Sequence, residues 1–289
     1  MQQVSQLSVA LRLVLTGALA SVAGCTAIAL TAVNVPAAFG DYIAERNIAY
    51  GTGASQELDV YRPSKQSSLR PVILFLYGGR WSSGSRQQYR FVAEALTKHG
   101  YVVVIPEYRL YPQTLFPGFI EDAAHALAWT HQHAGDYGGD PGKLFVMGHS
   151  AGAHIAAMLN YDEKYLRAAG GEPAWIRGFI GLAGPYDFLP ITDPVLQKIF
   201  GPEERYAQSQ PINFVDGKEA PALLLHGRDD QVVWMRNSQH LAAKIREQGG
   251  QVTEKYFDGM SHTDLLAAMS VYYRNRRTVL QEIDQFIER

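Results

Sequence analysis

Gly148-His149-Ser150-Ala151-Gly152 sets a serine between two glycines where a strand should become a helix. Upstream, Leu144-Phe145-Val146-Met147, headed by Asp140-Pro141-Gly142, reads as a short buried strand. Downstream, Ala151 to Leu159 is small, apolar and rich in good helix formers. A Gly-x-Ser-x-Gly pentapeptide at such a junction is a nucleophile elbow, a tight turn that lifts the hydroxyl above a sheet. Side chains at the flanking glycines would collide with the neighbouring strand or helix. Five residues alone fit a glycine-rich strand-to-helix loop equally well, so the chemistry depends on what else the chain supplies.

A serine hydroxyl needs an adjacent base, itself held by a carboxylate. At an elbow the partners follow in the order Ser, Asp or Glu, His. Of the nine histidines, only His240 and His262 come after a plausible acid. His240 falls in a predicted amphipathic helix, where a solvated side chain is the expected state. His262 lies in Asp258-Gly259-Met260-Ser261-His262, directly after the last predicted strand. The segment Leu225 to Val233 offers two carboxylates, Asp229 and Asp230. Either could instead cap a turn.

An acyl-transfer site also needs backbone N–H donors for the oxyanion. Ala151 supplies one, and Tyr77-Gly78-Gly79-Arg80-Trp81 supplies others through Gly79 and Arg80. That loop also fits a plain Gly-Gly turn. The Arg80 side chain could meet an anionic group or point to solvent. Trp81 could line an acyl pocket or anchor the loop in the core, and with His149 it completes the candidate substrate-binding set. His131 and His133 do not share a helix face, which argues against a metal site there.

The elements that must position these residues alternate regularly. Ile43–Tyr50 and Glu57–Arg62 read as a hairpin turned at Gly51-Thr52-Gly53. Six further strands are predicted over Val72–Tyr77, Val102–Pro106, Leu144–Met147, Gly178–Leu182, Ala222–His226 and Val252–Phe257. Most are continuous apolar runs, as central parallel strands covered on both faces must be. Helices are predicted over Arg86–His99, Phe119–His133, Ala151–Ala169, Asn237–Gln248 and Val271–Ile287. This order predicts an α/β fold with a doubly wound, mostly parallel eight-stranded sheet, whose ligands bind beyond the carboxyl ends of the strands. Residues 184–220, with five prolines and several large apolar side chains, read as a cap insertion over the site.

From about Asp41 to the C-terminus the chain resembles the α/β-hydrolase superfamily, and within it the bacterial esterase/lipase group that includes hormone-sensitive-lipase-like enzymes and small carboxylesterases. The resemblance rests on Gly148–Gly152, Tyr77–Trp81, Glu107-Tyr108-Arg109-Leu110 with Pro112 and Phe116-Pro117, Asp122, and the Asp230 and His262 loops. It implies that the acid lies three residues beyond the glycine and just before a short apolar pair. That choice is Asp230, with Asp229 as the alternative. Arg109 and Asp122 resemble a pair that braces the scaffold. Three residues depart from the group's pattern: Tyr77 replaces a histidine, Arg80 a third glycine and Glu107 an aspartate. The loop is thereby similar to the His-Gly-Gly-x-Trp form of formamidases and feruloyl-type esterases.

The expected activity is therefore cleavage of small-molecule carboxylic esters through an acyl-enzyme, by Ser150, His262 and Asp230, without metal or organic cofactor. An amidase or arylformamidase on the same triad, and a non-catalytic envelope lipoprotein, are the alternatives. With 289 residues and a formal charge of −2, the chain gives no electrostatic case for a nucleic-acid partner. Its one cysteine, Cys25, excludes an intrachain disulfide. Leu13 to Gly24 is uncharged and apolar after Arg12, and Val22-Ala23-Gly24-Cys25 resembles a bacterial lipobox. The expected organisation is a lipoprotein signal peptide over 1–24, a tether over 25–40 and the catalytic domain over 41–289. An uncleaved membrane anchor and a conventionally exported enzyme are the other readings. Each places the domain outside the cytoplasm, the lipoprotein reading in the cell envelope facing the periplasm or exterior, unless the segment is merely an apolar arm packed on the body.

Overall fold

A computed structural model describes residues 32–274 and 278–289. All eight predicted strands form: β1 (Tyr42–Ala49), β2 (Glu57–Pro63), β3 (Arg70–Leu76), β4 (Val102–Pro106), β5 (Gly139–His149), β6 (Ile176–Leu182), β7 (Ala222–Gly227) and β8 (Val252–Phe257). They make one sheet in the order β1-β2-β4-β3-β5-β6-β7-β8. β2 runs antiparallel to β1 and β4, and the remaining pairings are parallel. The apolar centres of β3, β5, β6 and β7 are buried, as strands covered on both faces require.

The connecting helices are α1 (Arg90–Lys98), α2 (Gly118–His133), α3 (Ala151–Tyr161), α4 (Glu163–Ala168), α5 (Pro194–Phe200), α6 (Arg236–Glu247), α7 (Asp264–Ala267) and α8 (Val279–Ile287). This doubly wound arrangement is the α/β-hydrolase architecture that the resemblance implies. Because β3, β5, β7 and β8 are parallel, the segments that leave their carboxyl ends emerge on one side of the sheet. Those segments begin at Tyr77, Ser150, Arg228 and Asp258.

Four sequence expectations need correction. The helix predicted over Ala151–Ala169 is two helices, broken at Asp162, whose φ of −109° and ψ of 87° leave the helical region. The C-terminal helix spans Val279–Ile287 only, after turns at 271–274. β5 starts at Gly139 rather than Leu144, because its pairing with β3 carries an irregularity between Arg70 and Val72 that bulges exposed residues out of the ladder. Part of the expected tether is packed on the domain. Asn34 donates to the Gln88 carbonyl (2.6 Å) and accepts from the Phe91 N–H (3.0 Å), while Ala37 is buried. Cys25 and the proposed signal peptide lie outside the described residues, among which no helix is long and apolar enough to cross a membrane.

The insertion between β6 and β7 contains α5 and two 3-10 turns, Glu203–Ser209 and Pro211–Phe214. Asp193 caps α5, its Oδ1 accepting from Val195 N (2.9 Å) and Leu196 N (3.0 Å). Phe200, Ile199 and Tyr206 are buried, so the insertion is packed onto the body.

Candidate active site

Ser150 sits at the β5–α3 junction with φ 56° and ψ −123°, a strained conformation for a residue with a Cβ. The flanking glycines leave the turn its room. A Cβ on Gly148 would lie 2.3 Å from the Gly152 carbonyl oxygen, and one on Gly152 would lie 2.0 Å from that of Leu76. The Ser150 N–H donates to Leu182 O on β6 (2.9 Å), which fixes the elbow to the neighbouring strand.

His262 Nδ1 lies 2.7 Å from Asp230 Oδ2, and both side chains are buried. Asp230 Oδ1 accepts from the backbone N–H groups of Val232 (2.8 Å) and Val233 (2.9 Å), so the loop after β7 wraps its own carboxylate. Burial alone would raise the pKa of Asp230. Hydrogen bonds from His226, His262 and the backbone outweigh burial and hold the carboxyl well below the usual range. Asp229 is exposed and makes no bond to His262, so of the two carboxylates it is Asp230 that meets the histidine.

The elbow reaches this pair through His149. Its Nε2–H donates to the carbonyl of His262 (3.0 Å), and the two rings are 4.7 Å apart. Burial, with His262 adding to it, pushes the His149 imidazole down to about 3, so it is neutral at physiological pH. The sequence reading placed His149 against substrate. Its ring instead lies buried against the His262 segment.

The loop after β3 lies directly over the serine. A Cβ on Gly78 would be 3.1 Å from Ser150 Cβ and 2.9 Å from the His149 carbonyl oxygen. Gly79 has φ 135°, and Arg80 and Trp81 have φ 54° and 57°. A Cβ on Gly79 would lie 1.9 Å from Ser83 O, so only glycine fits. Among the described residues, neither the Gly79 nor the Arg80 N–H bonds to another group. The Ala151 N–H, at the first position of α3, has no intrahelical acceptor.

A buried charge cluster supports this loop from behind. Arg86 donates to Asp59 (3.0 Å), Glu57 (2.7 Å), Asn47 (2.7 Å) and Glu107 (3.4 Å). Tyr77 donates its hydroxyl to Glu107, and Tyr108 donates to the Tyr77 carbonyl (2.5 Å). Burial raises both the Glu107 carboxyl and the Tyr77 phenol above their ordinary values. Glu107 thus serves the tyrosine that departs from the group's pattern. Arg109 and Asp122 form a bidentate pair (2.8 Å twice), joined by Gln56 Nε2 (2.9 Å). They brace the segment after β4, as expected.

Trp81 is 4% exposed and sits among Phe119, Phe188, Phe200 and His154. Its indole N–H donates to His154 Nδ1 (3.2 Å), whose Nε2–H donates to Ser209 O (2.8 Å). Burial lowers the His154 imidazole to about 4. The core alternative for Trp81 describes these surroundings: the ring joins the Gly-Gly loop to the insertion. The Arg80 side chain reaches the same insertion, pairing with Asp193 at 2.9 Å while both remain substantially exposed.

Residues 58–245 match the BD-FAE family. The chain belongs to that family. Within the α/β-hydrolase esterase/lipase group, it is 28% identical over 249 residues to a probable isoprenylcysteine α-carbonyl methylesterase of Arabidopsis thaliana, covering 78% of this chain and 52% of the relative. It is 27% identical over 229 residues to the probable carboxylic ester hydrolase LipM of Mycobacterium tuberculosis, covering 72% and 53%. The chain spans about half the length of these curated relatives. In structure it is similar to esterase B from Lactobacillus rhamnosis, with a TM-score of 0.77 at 20% identity over 94% of this chain and 95% of that one.

Within this BD-FAE member, the sequence reading missed Arg86 and His226. Arg86 gives little local sign, since its partners are 21 to 39 residues away. His226 does leave one. It ends the apolar run Ala222–Leu225, and a polar group on a buried strand must find partners. His240, set aside as a helix-face residue, bonds Asp187 at 2.6 Å and is half-exposed. No group of residues suited to a metal occurs among the described residues.

Proposed function

We propose that this protein is a serine hydrolase that cleaves carboxylic esters through an acyl-enzyme, with Ser150 as nucleophile, His262 as base and Asp230 as the acid that orients it. The observation that carries the reading is the buried 2.7 Å contact between His262 Nδ1 and Asp230 Oδ2, on a segment tied to the elbow through His149. With Nδ1–H donated to Asp230, the Nε2 lone pair of His262 accepts the serine proton. The same nitrogen, once protonated, delivers that proton to the leaving alkoxide. Gly79, Arg80 and Ala151 offer backbone N–H groups where negative charge develops on the carbonyl oxygen. The esterase names carried by the relatives agree with this reaction class.

Treating wild type and Ser150→Ala with a fluorophosphonate probe tests the reading. Labelling confined to wild type, with hydrolysis of p-nitrophenyl esters lost in the variant, is expected. Equal labelling of both, or none of a folded wild type, overturns it. A matched anilide series distinguishes an esterase from an amidase on the same residues.

The domain is also proposed to be held at a membrane in the cell envelope by its N-terminal segment, through Cys25 or an uncleaved anchor. The apolar run before residue 32 and the packing of 34–37 on the domain support that arrangement. Membrane fractionation of wild type and Cys25→Ser, with mass analysis for a lipid on Cys25, tests it.

A further inference from the structure

The geometry points to His226 as a positioning residue for the reaction, holding Asp230 in place from the side opposite His262. This inference rests on the proposed triad and names a fourth side chain that the triad requires. His226 is wholly buried at the end of β7, and both its ring nitrogens are engaged. Nδ1 is 2.8 Å from Ser238 Oγ on α6, and Nε2 is 2.8 Å from the Val233 carbonyl oxygen. A carbonyl can only accept, so Nε2 carries the proton, and Nδ1 accepts from the Ser238 hydroxyl. The same Nε2 lies 3.2 Å from Asp230 Oδ2, the oxygen that His262 also contacts. The Nε2–H therefore divides between Val233 O and Asp230 Oδ2.

Asp230 is thus held by four donors: two backbone N–H groups on Oδ1 and two histidines on Oδ2. The backbone pair alone leaves the carboxylate free to swing its second oxygen. His226 removes that freedom and ties Oδ2 to the rigid strand and to α6. It also turns the positive end of a neutral N–H dipole toward the carboxylate, which favours the ionised form of Asp230. A reversed tautomer would leave the Val233 carbonyl and Asp230 Oδ2 facing a bare ring nitrogen, although the Ser238 hydroxyl could accept instead.

The titratable groups facing the pair are His226 from β7 and His149 from the elbow. Asp229 and Arg228 on the same loop are exposed, and Arg228 pairs with Asp258 (2.8 Å). Asp264 on α7 accepts from the backbone and hydroxyl of Ser261. Arg236 on α6 is exposed, lying over the Trp234 ring. None of these substitutes for the Nε2–H.

The test is the pH dependence of kcat and kcat/KM on p-nitrophenyl butyrate for full-length wild type, His226→Phe, His226→Gln and Ser238→Ala. Removing the donor should move the acid limb of the profile to higher pH by about half to one unit. It should also lower kcat about tenfold or more while leaving KM within about threefold. His226→Gln, which returns an N–H near the same point, should recover most of both. Ser238→Ala removes the hydroxyl that ties the ring to α6 and should shift the limb in the same direction by less. A folded His226→Phe with an unmoved acid limb overturns the proposal, as does a Gln variant no better than Phe. If the Phe variant does not fold, the Ser238→Ala profile decides. Hydrolysis that persists in Ser150→Ala would instead defeat the triad reading itself.

Discussion

His149 Nε2 donates to the carbonyl of His262 across 3.0 Å, joining the residue before the nucleophile to the loop that carries the proposed base. The two loops come from β5 and β8, which are not neighbours in the sheet. Without this bond, the position of His262 would depend on Asp230 and on its own glycine-containing loop. Replacing His149 by Phe keeps the bulk and removes the donor. The expected result is a fall in kcat of about 10- to 100-fold with little change in KM, because small misplacements of a catalytic group are costly. Steady-state kinetics and the rate of phosphonate labelling check this, and an unchanged kcat in a folded variant refutes it.

Asp230 and Asp229 are adjacent in sequence and unlike in surroundings. Asp230 is buried with its oxygens saturated by donors, whereas Asp229 is exposed. Asp230→Asn should lower kcat by roughly 10⁴, since the amide stabilises the wrong imidazole tautomer. Asp229→Asn should stay within about threefold, as is usual for a surface change. The reverse ranking would move the acid to Asp229.

Arg80 contributes to the proposed oxyanion site through its N–H, and its side chain is spent on an exposed pair with Asp193. Such pairs stabilise by about 1 kcal/mol or less. Arg80→Gly keeps the N–H and suits the left-handed φ of 54°. Ester turnover should therefore remain within about fivefold of wild type. A loss of 10²-fold or more would show that the guanidinium itself meets the substrate.

Much of the fold was legible because the central parallel strands, covered on both faces, announce themselves as apolar runs, and all eight predicted strands form, β5 with an earlier start. The elbow was equally legible, since Gly148 and Gly152 are required by contacts within a few residues of the turn and with Leu76. Choosing Asp230 over Asp229 took a family pattern, because neither residue type nor spacing distinguishes adjacent carboxylates. What escaped depends on long-range partners. Arg86 meets Glu57, Asp59 and Glu107 only after β2 and β4 assemble, and the insertion partners of Trp81, Phe188 and Phe200, lie more than 100 residues away. The break at Asp162 carries no glycine or proline to announce it.

Trp81 joins the Gly-Gly loop to the insertion, so its loss should be felt in both stability and catalysis. Trp81→Ala removes a ring packed against Phe200 at 4.8 Å and orphans His154 Nδ1. A cost of about 3–5 kcal/mol is expected. Urea unfolding gives the stability change, and proteolysis of residues 184–220 should accelerate if the insertion is released. A variant within 1 kcal/mol of wild type would place the holding force elsewhere.

Two buried imidazoles set the acid limit of the fold. Burial takes His149 down to about 3 and His154 to about 4, from an ordinary value of 6.5. Above pH 6.5 both are neutral folded or unfolded, and they contribute no pH dependence. Below it the unfolded chain binds protons that the folded chain refuses, so stability falls as the pH drops from 6.5 toward 4, and on to 3 for His149. Each can cost up to a few kcal/mol over that window. Urea unfolding at pH 7.5, 6.0 and 5.0 should show a steep loss, which His154→Gln should flatten while lowering stability at pH 7.5. A stability independent of pH between 7.5 and 5.0 would mean that both rings charge as readily folded as unfolded.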